Sequence, residues 1–375
     1  MTTIDPMVPD DIGADPGSPP RRHRRWLLPT LAIILVVLAI SYAVANHFTS
    51  RYYAIAPGDA QPVQKYISVP TDKLHTHTGR ILLVTVSLLT VRPLSWITDK
   101  LNSDVDVLKQ EQITGNTPPS QLNQLNAVEM QNSTQTAVIV ALRRLGYTVD
   151  LNGQGAEVDA VVAKSPAANI LMPGDVIVSF DGTPIRSNDT LVQAIRTHHP
   201  GDRVEFEVQE FSPPRTEKKT VVLGEAPADS TTPTPHAFLG IATTTKEQPN
   251  LPLDVKVAPG DIGGPSAGLS FTLGIIDNLL PNDLTGGKTI AVTGTINPDG
   301  TVGDVGAVAQ KAVAVRKSGA IAFLVPKGEG KVAQQHAGSH VKVIEVTTLE
   351  EALNALRFLG GDLNGLPAAP ANLSG

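Results

Sequence analysis

The longest uninterrupted run of hydrophobic positions lies near the N-terminus, at residues 27–45, and it contains no charged residue. A helix of this length rises about 28 Å at about 1.5 Å per residue, close to the hydrocarbon thickness of a bilayer, about 30 Å. The pattern predicts a membrane-spanning helix over residues 26–46. A basic cluster precedes it at residues 21–25. Such clusters stay in the cytoplasm, so we expect the rest of the chain to be extracytoplasmic, anchored to the cell membrane by a single pass.

A cleaved signal peptide is the alternative interpretation of the same segment, because Ala43-Val44-Ala45 resembles a small-residue cleavage site. The apolar run is longer than the core of such a peptide, which usually has about 7 to 15 residues. We therefore favour a permanent anchor. In both interpretations the bulk of the chain is exported.

A helical period marks two segments in the second half of the chain. The first follows the glycine-rich sequence DIGGPSAG at 261–268, and its apolar positions are Leu269, Leu273, Ile276 and Leu280. The second is GAVAQKAVAVRKSGA at 306–320, which Gly319 closes. Lys311 lies on the apolar stripe of this second helix, with Val308, Ala312 and Val315. A lysine on a buried face needs an explanation.

The serine at the mouth of the first helix, Ser266, has three interpretations. A phosphate-binding Walker loop is disfavoured, because the Gly-Lys-Thr at 287–289 has Asn282 where the first glycine of that motif belongs. A plain helix N-cap is the commonest role of such a serine. A nucleophile is the third, since the helix dipole and the free N–H groups at a helix start stabilise a developing oxyanion.

Lys311 likewise has two interpretations. Desolvation lowers the pKa of a lysine from about 10.4, and an amine with a lowered pKa can act as a general base near neutral pH. The alternative is a side chain that bends outward and keeps its charge in water. Thr293 lies in a predicted strand at 289–296, on the face opposite Ile290, Val292 and Ile296.

The middle of the chain has the pattern of a small strand-rich unit. Turn sequences at 173–175 and 181–182 flank a predicted strand at 176–180. A helix follows at about 189–197, capped by Asn188 or Asp189. With the later strand RVEFEVQ, this segment resembles a PDZ domain of the bacterial protease-associated kind.

That resemblance implies binding of an extended peptide by strand addition, with backbone amides holding the C-terminal carboxylate. Leu145, Gly146 and Tyr147 are the candidates for this carboxylate loop, by their place before the first strand of the unit. The alternative is that they only end the preceding helix, with Gly146 as its C-cap.

Three motifs near the C-terminus resemble the proteolytic domain of Lon: GGPSAGL at 263–269, TGTI at 293–296 and GTVGDVGAVAQK at 300–311. The resemblance implies a catalytic Ser-Lys dyad of Ser266 and Lys311. It also implies that the Thr293 hydroxyl bonds the lysine amine, unless Thr293 is an ordinary strand residue. Backbone N–H groups near the serine, at Gly264 and Ser266, are our candidates for the oxyanion hole.

Two further segments extend the resemblance to Lon. RILLVTVSLLT at 80–90 looks like a strand of that domain, and MQNSTQTAVIVALRRLG at 130–146 resembles one of its helices. The PDZ segment would then be an insertion. The chain departs from Lon at Gly263 and Thr295, where Lon carries acidic residues, and this puts in doubt any carboxylate that orients the site.

The predicted fold class is therefore α+β: a Lon-type proteolytic domain with an inserted, β-rich PDZ domain of two helices, preceded by one transmembrane helix. The predicted segments are a disordered cytoplasmic tail (1–25), the transmembrane helix (26–46), the N-terminal part of the Lon-like fold (47–148), the PDZ domain (149–225), a Thr/Pro-rich linker (226–235), the proteolytic domain with the dyad (236–358) and a flexible tail (359–375).

Composition excludes several other functions. A net charge of −6 without a clustered basic face gives no basis for nucleic-acid binding. The absence of cysteine excludes disulfides, thiolate metal sites and a cysteine nucleophile. His336 and His340 form the only histidine pair at helical spacing, and without a carboxylate between them we predict surface residues and no metal. No cofactor is expected.

The function that these observations favour is an ATP-independent serine endopeptidase acting on peptide or protein substrates. The PDZ domain would capture substrate C-termini or regulate the site. The resemblance to Lon also implies a homo-oligomer, a hexameric ring. Two alternatives stay open, an inactive PDZ scaffold and a peptide-binding chaperone at the cell surface.

Overall fold

The computed structural model describes residues 24–49, 51–114, 119–226 and 236–370. The predicted cytoplasmic tail, the predicted linker after Ala226 and the last five residues of the predicted C-terminal tail lie outside these ranges, apart from Arg24 and Arg25 at the start of the first helix.

Helices and strands alternate irregularly along the described chain, as the predicted α+β class requires. The helices are α1 (Arg24–Thr49), α2 (Trp96–Leu101), α3 (Gln110–Thr114), α4 (Pro119–Arg144), α5 (Asn188–Arg196), α6 (Gly268–Leu279), α7 (Val308–Ser318), α8 (Gly330–Ala337) and α9 (Leu349–Phe358), with a 3-10 turn at Val63–Tyr66. The strands are β1 (Tyr52–Pro62), β2 (Ile67–Ser68), β3 (Arg80–Thr90), β4 (Asp106–Lys109), β5 (Asp150–Val161), β6 (Val176–Phe180), β7 (Thr183–Pro184), β8 (Arg203–Glu210), β9 (Arg215–Val222), β10 (Gly224–Glu225), β11 (Ala237–Phe238), β12 (Ile241–Asn250), β13 (Lys256–Val257), β14 (Thr289–Val292), β15 (Thr295–Ile296), β16 (Val302–Gly303), β17 (Ala322–Pro326) and β18 (Lys342–Val346).

The N-terminal helix α1 contains the predicted span. Among the described residues it is the one helix long and apolar enough to cross a membrane, over Pro29–Thr49 with a mean hydropathy of 2.2. Thr49 at its end is buried, but residues 29–44 of this stretch are all exposed. Its apolar side chains therefore have no protein core to pack into.

The first sheet combines strands from both ends of the chain, in the order β18-β17-β14-β3-β1-β4. β14 runs parallel to β3 and β17, whereas β1 is antiparallel to β3 and β4. Alternate side chains of the central strands face opposite layers. Ile81 and Leu83 pack with α4, α6 and α9, and Leu82 and Val84 pack with α7 and α8. Burial on both faces explains why residues 81–84 of β3 form a continuous apolar run.

The second sheet is formed by the chain between the two halves of the first, in the order β12-β5-β6-β8-β9 with β7 beside β6. All of its pairings are antiparallel. Its core includes Phe180, Phe206 and Leu191, the last from α5. The strands that open and close this stretch are neighbours, since Asp150 pairs with Asn250. The chain therefore enters and leaves this unit at the same place.

Several predicted elements are confirmed. The strands at 80–90 and 176–180 form over those residues. The helix at 306–320 forms as α7 and ends at Gly319, which adopts a left-handed φ of 78°. The predicted helix at 130–146 is the second half of the longer α4, which ends at Arg144.

Two details of the sequence analysis are wrong. The N-cap of α5 is Ser187, whose side chain accepts a hydrogen bond from the Thr190 N–H, and not Asn188 or Asp189. The predicted strand at 289–296 is broken into β14 and β15. Gly294, with a φ of 157°, lies at the break, so Thr293 follows a strand and does not occupy its outer face.

Candidate active site

The cavity that contains the predicted dyad has a volume of about 820 Å³. Its wall is formed by the serine loop (residues 259–267), by β3, by Asn126 and Glu129 of α4, and by Gly306, Ala307 and Lys311 at the start of α7. Residues from both halves of the first sheet thus meet at one opening. The structure places Ser266 and Lys311 in the same cavity.

Ser266 is presented by a loop that α4 holds at two points. The Gly264 N–H donates to the Asn126 carbonyl at 2.8 Å, and the Ser133 hydroxyl donates to the Pro265 carbonyl at 2.9 Å. The helix behind the loop, α6, takes Ala267 as its N-cap and has no side-chain cap. Ser266 is therefore not the N-cap that the simplest alternative required. Its hydroxyl makes no hydrogen bond to any described residue and remains available for chemistry.

Lys311 lies on the buried face of α7, as its position in the apolar stripe predicts. The residue is only 2% exposed, so the outward-bending alternative is wrong. Its Nζ donates to the Thr293 hydroxyl at 3.1 Å. Burial lowers the pKa of Lys311 to about 8, and the Glu329 carboxylate acts in the opposite direction.

Thr293 connects the lysine to the serine loop. It is fully buried directly after β14. Its hydroxyl accepts from the Lys311 amine and donates to the Ser266 carbonyl at 3.3 Å. The same carbonyl also accepts from the Gly294 N–H at 3.0 Å. The structure brings Ser266, Thr293 and Lys311 into one network, although the amine bonds the threonine and not the serine hydroxyl.

Of the two predicted oxyanion donors, Gly264 and Ser266, the structure leaves only the second with a free N–H in the described chain. The Gly264 N–H is already bonded to the Asn126 carbonyl, so it is not free in this conformation. Ser266 and Ala267 are different, because their N–H groups have no hydrogen-bond partner among the described residues and both line the cavity. They stand at the N-terminus of α6, where the helix dipole favours negative charge. Ala267 was missed because alanine carries no side-chain signal.

Glu329 is a second residue that the sequence did not reveal. Its Oε1 accepts from the Val305 N–H at 2.9 Å, and its Oε2 is buried without a partner. Burial raises the pKa of Glu329, and the charge of Lys311 lowers it. A glutamate in the glycine-rich stretch KGEGK reads as a loop residue. Only the folded chain brings it near the lysine.

No metal centre is evident within the described ranges, because they contain no group of three or more His, Asp or Glu side chains that could hold an ion. Of the two histidines predicted to lie at the surface, His340 is exposed, whereas His336 is half-buried with its Nδ1 3.0 Å from the Val332 carbonyl oxygen.

Comparison with protein-family models gives two matches. Residues 240–357 match the Lon protease (S16) C-terminal proteolytic domain, and residues 143–216 match the PDZ domain. The chain contains a Lon-type proteolytic domain and a PDZ domain. The Lon-type match includes Ser266, Thr293 and Lys311, and it supports a peptidase. No curated protein matches the chain.

The chain also matches solved structures, each over about a quarter of its length. The PDZ domain of an SdrC-like protein from Listeria monocytogenes is 24% identical, over 24% of this chain and 87% of that one, with a TM-score of 0.21. The corresponding domain from Listeria innocua is 26% identical, over 24% and 92%, with a TM-score of 0.21. A protein from Geobacillus thermodenitrificans is 29% identical, over 24% and 95%, with a TM-score of 0.20.

The predicted carboxylate loop of the PDZ domain has its amides occupied. Leu145, Gly146 and Tyr147 donate to the carbonyls of Ala141, Arg143 and Leu142 at 3.0 Å each. With Gly146 at a φ of 87°, this is the helix-ending pattern of a Schellman motif. In this structure, residues 145–147 therefore end α4, which is the alternative to a carboxylate loop.

A different loop of the PDZ sheet has free amides. Leu239 and Gly240 precede β12, and neither N–H has a hydrogen-bond partner among the described residues, although both residues are buried. β12 is an edge strand, and α5 lies beside it and beside β11. The signal in the sequence was Phe238-Leu239-Gly240-Ile241, an apolar-Leu-Gly-apolar pattern directly before a strand.

Replacing Thr293 tests the network of the Lon-type domain. Thr293→Val keeps the shape but removes both hydrogen bonds, so we expect peptidase kcat/KM to fall about 10- to 100-fold, the effect of losing about 1.5–3 kcal/mol of positioning. Thr293→Ser keeps the hydroxyl and should retain most activity. Steady-state kinetics on both variants, with circular dichroism to verify folding, makes the comparison. Equal activity of Thr293→Val and wild type would contradict the role.

Proposed function

We propose that this protein is a membrane-anchored, ATP-independent serine endopeptidase that uses Ser266 and Lys311 as its catalytic dyad. The observation that carries the proposal is the buried amine of Lys311, tied through the Thr293 hydroxyl to the backbone of Ser266 in one cavity. An amine that is desolvated and has no carboxylate hydrogen-bonded to it is suited to accept a proton.

In the first half-reaction the neutral Lys311 amine takes the proton of the Ser266 hydroxyl while Oγ attacks the peptide carbonyl. The Thr293 hydroxyl accepts one amine N–H and so directs the nitrogen lone pair away from itself. The oxyanion is received by the N–H groups of Ser266 and Ala267. The ammonium then gives its proton to the departing amine, which leaves an ester on Ser266.

In the second half-reaction water replaces the departed amine. Lys311 takes a proton from the water, the resulting oxygen nucleophile attacks the ester, and the serine leaves with the proton returned by the ammonium. The site ends in its starting state. The Lys311 amine bonds the Thr293 hydroxyl and not the Ser266 hydroxyl, and hydrogen bonds between catalytic groups often shorten only when substrate is bound.

For the PDZ domain we propose a peptide groove between β12 and α5. The edge of β12 that pairs with no described strand would take up an extended peptide as an added strand. The free N–H groups of Leu239 and Gly240 would bind its terminal carboxylate. Ile195 of α5 and Ile241 of β12 are only partly buried and would contact an apolar final side chain.

The proposed substrates are exported or membrane-associated proteins with exposed, unfolded segments. The sequence has no Walker motif to drive unfolding, so compact proteins would resist cleavage. We also propose that the PDZ domain is an insertion, which the pairing of Asp150 with Asn250 favours.

The dyad is tested by removing each member. Ser266→Ala and Lys311→Met should each lower cleavage of an unstructured protein at least about 1000-fold, because a nucleophile and its base act as a unit. Lys317→Met is the matched control, since Lys317 is an exposed lysine of the same helix, and its activity should stay within about twofold of wild type. Cleavage that survives both dyad variants would exclude the mechanism. If the wild-type protein bound peptides without cleaving them, the two alternative functions, a PDZ scaffold or a peptide-binding chaperone, would be favoured instead.

The pH profile tests the state of the lysine. Protonated Lys311 cannot accept a proton, so kcat/KM should fall about tenfold per pH unit below its pKa, which is about 8. Glu329→Gln removes the carboxylate that raises this pKa, and the acid limb should move to lower pH. Glu247→Gln, an exposed glutamate on β12, should leave the limb in place. An unchanged limb in Glu329→Gln would contradict the coupling.

The peptide groove is tested with a fluorescent peptide that ends in valine. Amidating its C-terminus should weaken binding about 10- to 100-fold, since hydrogen bonds to a charged group contribute about 1.5–3 kcal/mol. Ile241→Asp places a negative charge beside the carboxylate and should abolish binding. Tyr147→Ala, in the loop whose amides are occupied, should have no effect. Fluorescence anisotropy measures the affinity in each of the three comparisons. If Tyr147→Ala weakened binding and Ile241→Asp did not, the carboxylate loop would instead be residues 145–147.

A further inference from the structure

One short segment after β3 exposes large apolar side chains. Leu94, Ile97 and Leu101 are 85%, 66% and 81% exposed. A hydrogen-bonded turn at residues 92–96 leads into α2, because the Trp96 N–H donates to the Arg92 carbonyl and the Asp99 N–H to the Ser95 carbonyl. Spacings of three and four residues place the three side chains on one helical face. We call them the α2 patch.

The α2 patch adjoins the end of the apolar helix α1. Trp96 of α2 lies 5.9 Å from Phe48 in the last turn of α1 and 4.7 Å from Tyr52, measured between ring centroids. Phe48 and Tyr52 are themselves 5.6 Å apart. The aromatic cluster thus fixes the segment beside the point where α1 ends and the folded part begins.

The residue types around this junction are those of a membrane–water boundary. Tryptophan and tyrosine concentrate at that depth because each ring has an apolar body and a polar edge. The Lys100 Nζ lies 5.2 Å from the Trp96 ring centre, and the side chain is exposed. A lysine beside an interfacial aromatic residue can place its stem in the apolar layer and its charge in water.

We propose that the α2 patch inserts into the lipid interface next to α1 and holds the folded part close to the bilayer. The inference rests on the proposed membrane span of α1. Lipid is favoured over a second copy of the chain because the patch is continuous, through the three aromatic rings, with α1, whose large apolar side chains between Leu31 and Ile40 are all exposed. With both a spanning helix and an inserted patch in contact with the bilayer, the folded part would be restricted in its tilt relative to the membrane. A single flexible connection would not restrict it.

The chain contains no cysteine, so single cysteines can be introduced into the full-length protein without background. We suggest Leu94→Cys, Ile97→Cys and Leu101→Cys, each labelled with an environment-sensitive fluorophore in phosphatidylcholine vesicles. Ile40→Cys in α1 is the lipid-exposed reference. Phe358→Cys is the water-exposed reference, since Phe358 is 73% exposed and stacks on Lys342 of β18, at the opposite edge of the sheet from β4.

The expected result is emission at shorter wavelength at the three α2 positions, with quenching by nitroxides on the lipid chains comparable to that at Ile40 and far above that at Phe358. Water-like emission equal to that at Phe358 would overturn the proposal. A blue shift without lipid quenching would also overturn it, in favour of a protein–protein contact. An unquenched probe at Ile40 would instead overturn the membrane anchor itself, and with it this proposal, while leaving the proposed Ser266–Lys311 peptidase activity unaffected.

Discussion

The burial of one amine is the constraint on which the rest of the candidate site depends. Removing a lysine side chain from water disfavours its charged form, and this desolvation is the main cause of the lowered pKa of Lys311. The Thr293 hydroxyl gives the amine a hydrogen-bond partner without giving it a negative charge. A carboxylate in the same place would raise the pKa again and keep the amine protonated near neutral pH, so it could not accept a proton. A threonine at position 293 therefore positions the Lys311 amine and leaves it able to accept a proton, which an aspartate there would not.

That burial needs elements from distant parts of the sequence. β14 ends at Val292, directly before the threonine, and its neighbour in the sheet, β3, comes from the first quarter of the chain. α7 packs on one face of this sheet through Val308, Ala312 and Val315, which directs Lys311 toward the cavity. α4 packs on the other face and holds the serine loop through Asn126 and Ser133. Neither half of the first sheet could build the cavity alone.

Sequence patterns predicted the elements well where one physical signal dominated. The period of α7 revealed both the helix and the anomalous lysine, because a single charged position stands out in an apolar stripe. Details that depend on a few degrees of backbone rotation were harder. TIAVTGTI reads as one strand, and only the unusual φ of Gly294 breaks it after Thr293.

Amide groups were the least predictable part of the site. The sequence made Gly264 a reasonable candidate for an oxyanion donor. In the structure its N–H donates to the carbonyl of Asn126, a residue of a helix more than a hundred residues earlier in the chain. The two Leu-Gly sequences, at 145–146 and 239–240, are locally alike. They differ in whether a helix end consumes their amides, which depends on the chain that precedes each. Which backbone N–H groups stay free is determined by the fold, so it cannot be predicted from the residue types alone.

The same helix that holds the serine loop also holds the PDZ sheet. Asn132 of α4 accepts from the Lys246 amine at 3.0 Å, and that amine pairs at 2.9 Å with Glu157, a residue of β5 that is 3% exposed. The next residue of α4, Ser133, bonds the loop that carries the candidate nucleophile. Separating the two partners of a buried ion pair destabilises a protein by about 3–5 kcal/mol. Because adjacent residues of one helix make both contacts, the sheet and the serine loop cannot separate without breaking one of them, and the orientation of the PDZ domain relative to the cavity is fixed by α4.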